Sequence, residues 1–379
     1  MELINQKRLI DSFCRMVSIG SPSGKEGAFR DYLKKAFVER GLQVREDNAA
    51  ALLGGQSGNL VVEVPGTIEG PSLLLAAHMD TVVPGDDIQP VIGEDGIIRS
   101  AGNTILGSDD KAGIAAILEA YDVMKENHYD HPPLEILLTV GEEQGLQGAK
   151  AFDFTQLESQ IGYTLDSGGR PGGIVVQSPC QYEMEYIVQG KAAHAGINPE
   201  DGINAIQVMA RALAKMPCGR MDEKSTCNFG TIQGGQARNI VAESCRVKGE
   251  ARSLNRSKLD ELAQRLESIF TEEVSACGAQ AECHRELLYT EISLDENERV
   301  VDLAVRAAEK AGISPDLQST GGGSDASVIN GAGIRCANLG IGMSDVHTTH
   351  EYIKIKDLVD DARWVVEIIR AAANREEDM

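Results

Sequence analysis

Apolar residues recur at helical spacing in two stretches near the start of the chain, 3–19 and 25–40, and each predicts an amphipathic helix. In the second, Phe29, Tyr32, Leu33, Ala36 and Phe37 share one face. The pattern then shortens to apolar runs, NLVVEV at 59–64 and SLLLAA at 72–77, which read as strands. Helical spacing returns at 111–126, where Ile114, Ile117, Leu118 and Tyr121 line up. LEILLTV at 134–140 is continuously apolar, as a strand buried on both faces must be. This alternation predicts an α/β fold with a mostly parallel central sheet flanked by helices.

Near residue 180 the period changes. YEMEYIVQG at 182–190 alternates apolar and polar positions, as a half-buried strand does. A helix at 203–216, strands at 226–233 and 239–252, a long amphipathic helix at 257–278 and a strand at 280–289 follow. The order βαββαβ is that of a ferredoxin-like α+β sandwich. The α/β pattern resumes after 292, so this sandwich reads as an insertion. The expected organisation is one α/β domain in two parts, 1–178 and 291–379, interrupted by a domain at 179–290, with hinges near 179 and 290.

Composition narrows the function classes. At 379 residues the chain is long for a single core. A formal net charge of -22 repels phosphate backbones, so neither nucleic acid nor an anionic membrane is expected as a partner. No apolar run reaches the ~20 residues that span a bilayer. The first residues, MELINQKRLIDSFCRM, lack the apolar stretch and cleavage site of a signal peptide, so a cytoplasmic location is expected. The eight cysteines form no C-x-x-C and read as reduced thiols, so sulfur is not the expected metal ligand.

The chemistry gathers at strand ends. SLLLAA runs into His78 with Asp80 two residues on; LEILLTV leads to Glu142 and Glu143; IGYTL ends at Asp166; CANLGIG leads to His347 and His350. GSDDKAG places Asp109 and Asp110 between glycines just before a helix. In open α/β sheets the ligand sits beyond the carboxyl ends of the strands. Imidazole and carboxylate donors without thiolate suit Zn²⁺, Mn²⁺ or Co²⁺, and a bridging carboxylate could hold two ions. Asp80 could fix the tautomer of His78. Of Glu142 and Glu143, one could bind metal while the other takes a proton. Each motif alone also reads as a turn, a helix start or a solvated acid pair, but that reading must hold in five segments at once.

Together HMDTVVPGD (78–86), GSDDKAG (107–113), GEEQGLQGAK (141–150), LDSGG (165–169), KAAHAG (191–196) and HTTHEYI (347–353) resemble, in order and spacing, the co-catalytic zinc exopeptidases that include peptidase T, carboxypeptidase G and succinyl-diaminopimelate desuccinylase. The likeness is strongest to peptidase T-like members and covers nearly the whole chain. It implies two Zn²⁺ per subunit, with Mn²⁺ or Co²⁺ as possible substitutes. His78, Asp109 and Asp166 would hold one ion. Asp109 would bridge to a second, held also by Glu143 and by His347 rather than His350. Glu142 would be the general base and Asp80 would orient His78. The resemblance also implies a cis peptide at Asp109–Asp110. The inserted domain would be a lid that forms a homodimer, with His194 reaching the partner subunit's site to stabilise the oxyanion. Asn239 and Arg252 would bind the substrate carboxylate, and GGGSDAS (321–327) would line the pocket. The implied activity is hydrolysis of small peptides, with a tripeptidase-like aminopeptidase first and a deacylase or carboxypeptidase on N-acyl amino acids second.

Other classes fit less well. A serine hydrolase would carry G-x-S-x-G, and Gly322-Gly323-Ser324-Asp325-Ala326 lacks the last glycine. No G-x-x-x-x-G-K-[ST] supports a nucleotide site. A non-catalytic metal-binding homologue would be expected to lose Glu142, which is present.

Overall fold

The computed structural model describes residues 3–373, and they form two units. The first unit runs up to Gln177 and takes in Ile292–Thr320 and the chain from Ser324 onward; the second is Ser178–Glu291 with Gly321–Gly323.

In the first unit a nine-stranded sheet has at its centre Leu134–Thr139, Leu73–His78, Ile161–Ser167 and Arg335–Gly340, adjacent in that order and mutually parallel. All residues of Leu73–His78 and Leu134–Thr139 are buried, which is why both read as unbroken apolar runs. The outer strands Gln43–Glu46 and Leu60–Val64 add antiparallel at one side. On the other side Gly173–Ser178 pairs antiparallel to Arg335–Gly340.

The helix Ser108–Asn127 crosses between the two central strands and packs on the sheet through Ile114, Ile117 and Leu118. Its first turn is irregular, because Asp109 and Asp110 depart from helical backbone angles and the peptide between them is cis. Gly113 allows the close approach that follows: a β-carbon there would stand 2.4 Å from the carbonyl oxygen of Leu165. The start of this helix is thereby pressed against the strand that carries Asp166.

A separate four-stranded sheet, in the order Met343–Ser344, Tyr352–Lys354, Ile97–Ser100 and Pro90–Ile92, was not expected. Its strands are two to four residues long, too short to show a period. It brackets residues 345–351 in a hairpin. Within that hairpin His347 adopts φ of 61°, a conformation that costs a residue with a β-carbon about 1–2 kcal/mol.

The second unit is a five-stranded antiparallel sheet in the order Gly219–Arg220, Ser225–Gly234, Ser244–Ser253, Cys180–Gln189, Gln280–Tyr289. Helices Ala205–Leu213 and Arg256–Ala276 pack through Val208, Met209, Leu259, Leu266 and Phe270, so this unit has its own core. One expected boundary is wrong here. The strand foreseen from 239 begins only at Ser244. Residues 239–241 instead bond across to 193–195: Ala195 donates to the Asn239 carbonyl at 3.0 Å and Val241 to that of Ala193 at 2.9 Å. Among the described residues no helix is long and apolar enough to cross a membrane.

One group in the first unit works against stability. Asp361, on the helix Ile355–Ala373, is fully buried, and neither carboxylate oxygen has a hydrogen-bond partner among the described residues. Burial pushes its carboxyl well above the usual carboxylate range. The folded state therefore keeps a proton that the unfolded chain releases, and stability falls as pH rises above the ordinary value of 3.8. Asp361→Asn should stabilise the protein by about 1–3 kcal/mol near pH 8 and give little gain near pH 4, read from melting temperatures across that range.

Candidate metal centre

The parallel strands bring their carboxyl ends to one edge of the large sheet. Leu73–His78 ends at His78, Leu134–Thr139 leads into Glu142 and Glu143, and Asp166 stands near the end of Ile161–Ser167. Asp109 arrives from the irregular first turn of the crossover helix, and His347 from the hairpin of the small sheet.

At this edge His78 Nε2 lies 2.9 Å from Asp109 Oδ1 and 3.4 Å from Asp166 Oδ1. The other oxygen of Asp109, Oδ2, lies 3.2 Å from His347 Nε2, which is 2.9 Å from Glu143 Oε1. Two clusters result, His78–Asp109–Asp166 and Asp109–Glu143–His347, each with donor atoms within 4.8 Å of one another. Asp109 joins both, turning one oxygen to each imidazole. His350 enters neither cluster; it is exposed, and its N–H donates to Thr348 Oγ1 at 3.1 Å.

Asp80 is placed somewhat differently from expectation. His78 Nδ1 is 2.9 Å from the Asp80 main-chain carbonyl and 3.5 Å from its carboxylate, so the carbonyl is the closer partner fixing the tautomer. The carboxylate accepts from the backbone N–H groups of Glu142 at 3.0 Å and Glu143 at 3.2 Å, and from Ser23 Oγ at 2.6 Å. One aspartate thus ties the His78 strand to the loop that carries both glutamates.

The electrostatics are those of a place built for cations. Burial, then the charge of Asp166, push the Glu142 carboxyl well above the usual range. Burial lifts Asp166 to about 7 and Asp325 to about 6. Burial opposes charging of His78, but hydrogen bonds with Asp109, Asp166 and Asp80 outweigh it and hold the imidazole well above its ordinary value. Asp109 and Glu143 raise His347 to about 10. Carboxylates this crowded and this poorly solvated need positive charge beside them.

The donor atoms fit a metal on a second count. Glu143 Oε1 is buried and has no hydrogen-bond partner among the described residues, although it stands 2.9 Å from His347 Nε2. Two ligands of one cation would stand this close together. With nitrogen and oxygen donors only, the set suits Zn²⁺, Mn²⁺ or Co²⁺.

Three further residues hold the site and had no role of their own assigned from the sequence, although Asp325 lies within GGGSDAS and Glu351 stands four residues after His347. Asn338 accepts from the Asp166 N–H at 3.1 Å and donates to Ser324 Oγ at 3.2 Å. A polar side chain inside the apolar run CANLGIG was its signal. Asp325 accepts from Thr139 Oγ1, and Thr139 is the register partner of His78. Glu351 binds the loop before Asp109 through four backbone N–H groups.

The remaining expected residues lie in the second unit. His194 is exposed, its Nδ1 accepting from the Gly196 N–H at 3.1 Å, and it bridges to Ile240 beside Asn239, which is also exposed. Arg252 is half-buried and already engaged: Nε and Nη2 donate to the two oxygens of Glu250 at 2.9 and 3.1 Å, and Nη1 to the Gly321 carbonyl at 3.0 Å. A carboxylate ligand of Arg252 would have to compete with Glu250.

Comparison with known proteins agrees with this architecture. Residues 180–276 match the peptidase dimerisation domain of the M20 type, and residues 59–189 match peptidase family M28. The chain is 42% identical to the uncharacterized protein YqjE of Bacillus subtilis, over 98% of this chain and 100% of that one. Its fold matches the crystal structure of aminopeptidase PepT from Bacillus cereus with a TM-score of 0.92 and 42% identity, covering 98% of this chain and 100% of the other. It matches a tripeptidase from Staphylococcus aureus with a TM-score of 0.92 and 40% identity, covering 98% and 99%.

Because Asp109 serves both clusters, Asp109→Ala should strip more metal than either Asp166→Ala or His347→Ala. Metal retained after dialysis, measured by atomic absorption, checks this order.

Proposed function

The chain belongs to the peptidase T-like members of the M20 peptidases, and on that premise we propose that it is a metal-dependent aminopeptidase that removes the first residue of tripeptides. The observation that carries the reading is the carboxylate of Asp109 facing His78 with one oxygen and His347 with the other. Similarity at 40–42% identity to an aminopeptidase and a tripeptidase favours this over a deacylase.

We assign one ion to His78, Asp109 and Asp166 and a second to Asp109, Glu143 and His347, with zinc as the native metal. The chemistry such a pair supplies when bound is acidification of a water and polarisation of the scissile carbonyl. Glu142 is the general base. It is adjacent to Glu143, its backbone N–H is fixed by Asp80, and burial holds its carboxyl above the usual carboxylate range. Glu142 accepts the proton of the attacking water and delivers it to the leaving amine. His194 of a partner subunit supports the oxyanion, and Asn239 and Arg252 receive the substrate carboxylate. The homodimer forms through the dimerisation domain. All eight cysteines are free, which fits a reducing compartment, and we place the enzyme in the cytoplasm.

Three measurements test this reading. In a panel of tripeptides, dipeptides and N-acyl amino acids with added Zn²⁺, Mn²⁺ or Co²⁺, free tripeptides should turn over fastest; faster turnover of blocked substrates would refute the aminopeptidase reading. Glu142→Gln should lower kcat by about 10²–10⁴ with metal content unchanged; parallel loss of both would make Glu142 a ligand. Light scattering should show a dimer, and a fully active monomer would remove His194 from the partner's site.

A further inference from the structure

Glu351 lies outside both clusters, yet its carboxylate accepts five hydrogen bonds. Its Oε2 accepts from the backbone N–H of Leu106 at 2.8 Å and Gly107 at 2.9 Å. Its Oε1 accepts from the N–H of Ser108 at 2.6 Å, from Ser108 Oγ at 2.6 Å and from the N–H of Asp109 at 3.2 Å. Four consecutive amides therefore converge on one buried carboxylate from a segment about 240 residues away. Such a nest of N–H groups around an anion is a strong local restraint, since charge-assisted hydrogen bonds are roughly twice as strong as neutral ones.

The other end of the link is equally short. Glu351 follows His347 by four residues, and the turn between them is closed by the Glu351 N–H to the Thr348 carbonyl at 3.2 Å and by Thr348 Oγ1 to the Asp345 carbonyl at 2.7 Å. Directly after Glu351, Tyr352–Lys354 pairs with Ile97–Ser100. One side chain thus joins the loop that presents Asp109 to the hairpin that presents His347.

We propose that Glu351 is the positioning residue of the Asp109–Glu143–His347 cluster, setting the separation of Asp109 and His347 before any ion arrives. This rests on the two-cluster reading given above. Asp109 and His347 come from a kinked helix start and a left-handed backbone position, neither of which a helix or strand ladder holds. Glu351 supplies the restraint they lack. The His78–Asp109–Asp166 cluster leans on two strands instead, so the effect of losing Glu351 should be unequal between the clusters.

Glu351→Gln keeps size but turns an amide N–H₂ toward backbone donors. Ser108→Ala removes one of the five bonds and serves as the milder variant if Glu351→Gln folds poorly. Both are compared with wild type as full-length protein. In metal-free protein, hydrogen exchange of a peptide covering 106–109 should speed up in Glu351→Gln and less so in Ser108→Ala. In Co²⁺ titrations followed by calorimetry and visible absorption, wild type should bind two ions. Glu351→Gln should bind one as before and the other about 10–100-fold more weakly, with kcat falling more than KM changes. Unchanged exchange and unchanged binding of both ions would overturn the positioning role alone, as would equal weakening of both ions. A wild type that binds fewer than two ions would overturn the two-cluster reading and this proposal with it.

Discussion

A carboxylate removed from water must be met by donors or cations, and the first unit is arranged around that requirement. Asp80, Asp109, Asp110 and Asp325 are all buried, with Asp166 and Glu142–Glu143 close by. Part of the charge is met by the protein itself. Asp80 receives two backbone amides and a hydroxyl, Glu351 receives four amides and a hydroxyl, and Asp110 receives the N–H of His78 at 3.0 Å. Those carboxylates are structural anchors. The others, Asp109, Asp166 and Glu143, face imidazoles instead of amides.

This division explains why loops can carry the site without loosening it. Loop backbone has amides that no ladder uses, and here buried carboxylates take them up. The 106–109 loop, the 142–143 turn and the strand holding Asp166 are each tied by a side chain from a distant segment: Glu351, Asp80 and Asn338. Close packing completes the restraint, with Gly113 allowing the crossover helix to touch the Leu165 carbonyl.

The second unit has a different character. Its core is separate, its sheet is antiparallel with one exposed face, and its candidate residues are exposed or already paired. Arg252 shows this most clearly, because its guanidinium fork is filled by Glu250. A residue chosen for its ability to bind a carboxylate has one at hand from its own strand. The period of the expected strand already puts 250 and 252 on one face, but that the Glu250 carboxylate closes on the Arg252 guanidinium is a matter of side-chain conformation that period does not record.

The sequence alone determined the α/β pattern, the inserted βαββαβ order apart from the two-residue strand Gly219–Arg220, and the set of residues with metal chemistry, because each is written in local period or in residue type at a strand end. His78, Glu142, Glu143 and Asp166 follow apolar runs directly, so their common edge was legible. What only the tertiary structure decided depends on contacts between distant segments. The family resemblance already implied His347 rather than His350; what the fold adds is the hairpin of short strands, with no readable period, that brings His347 to Glu143. The parts played by Glu351, Asn338 and the Asp80 carbonyl depend on hydrogen bonds across chain separations or to main-chain atoms, and side-chain identity carries no record of either.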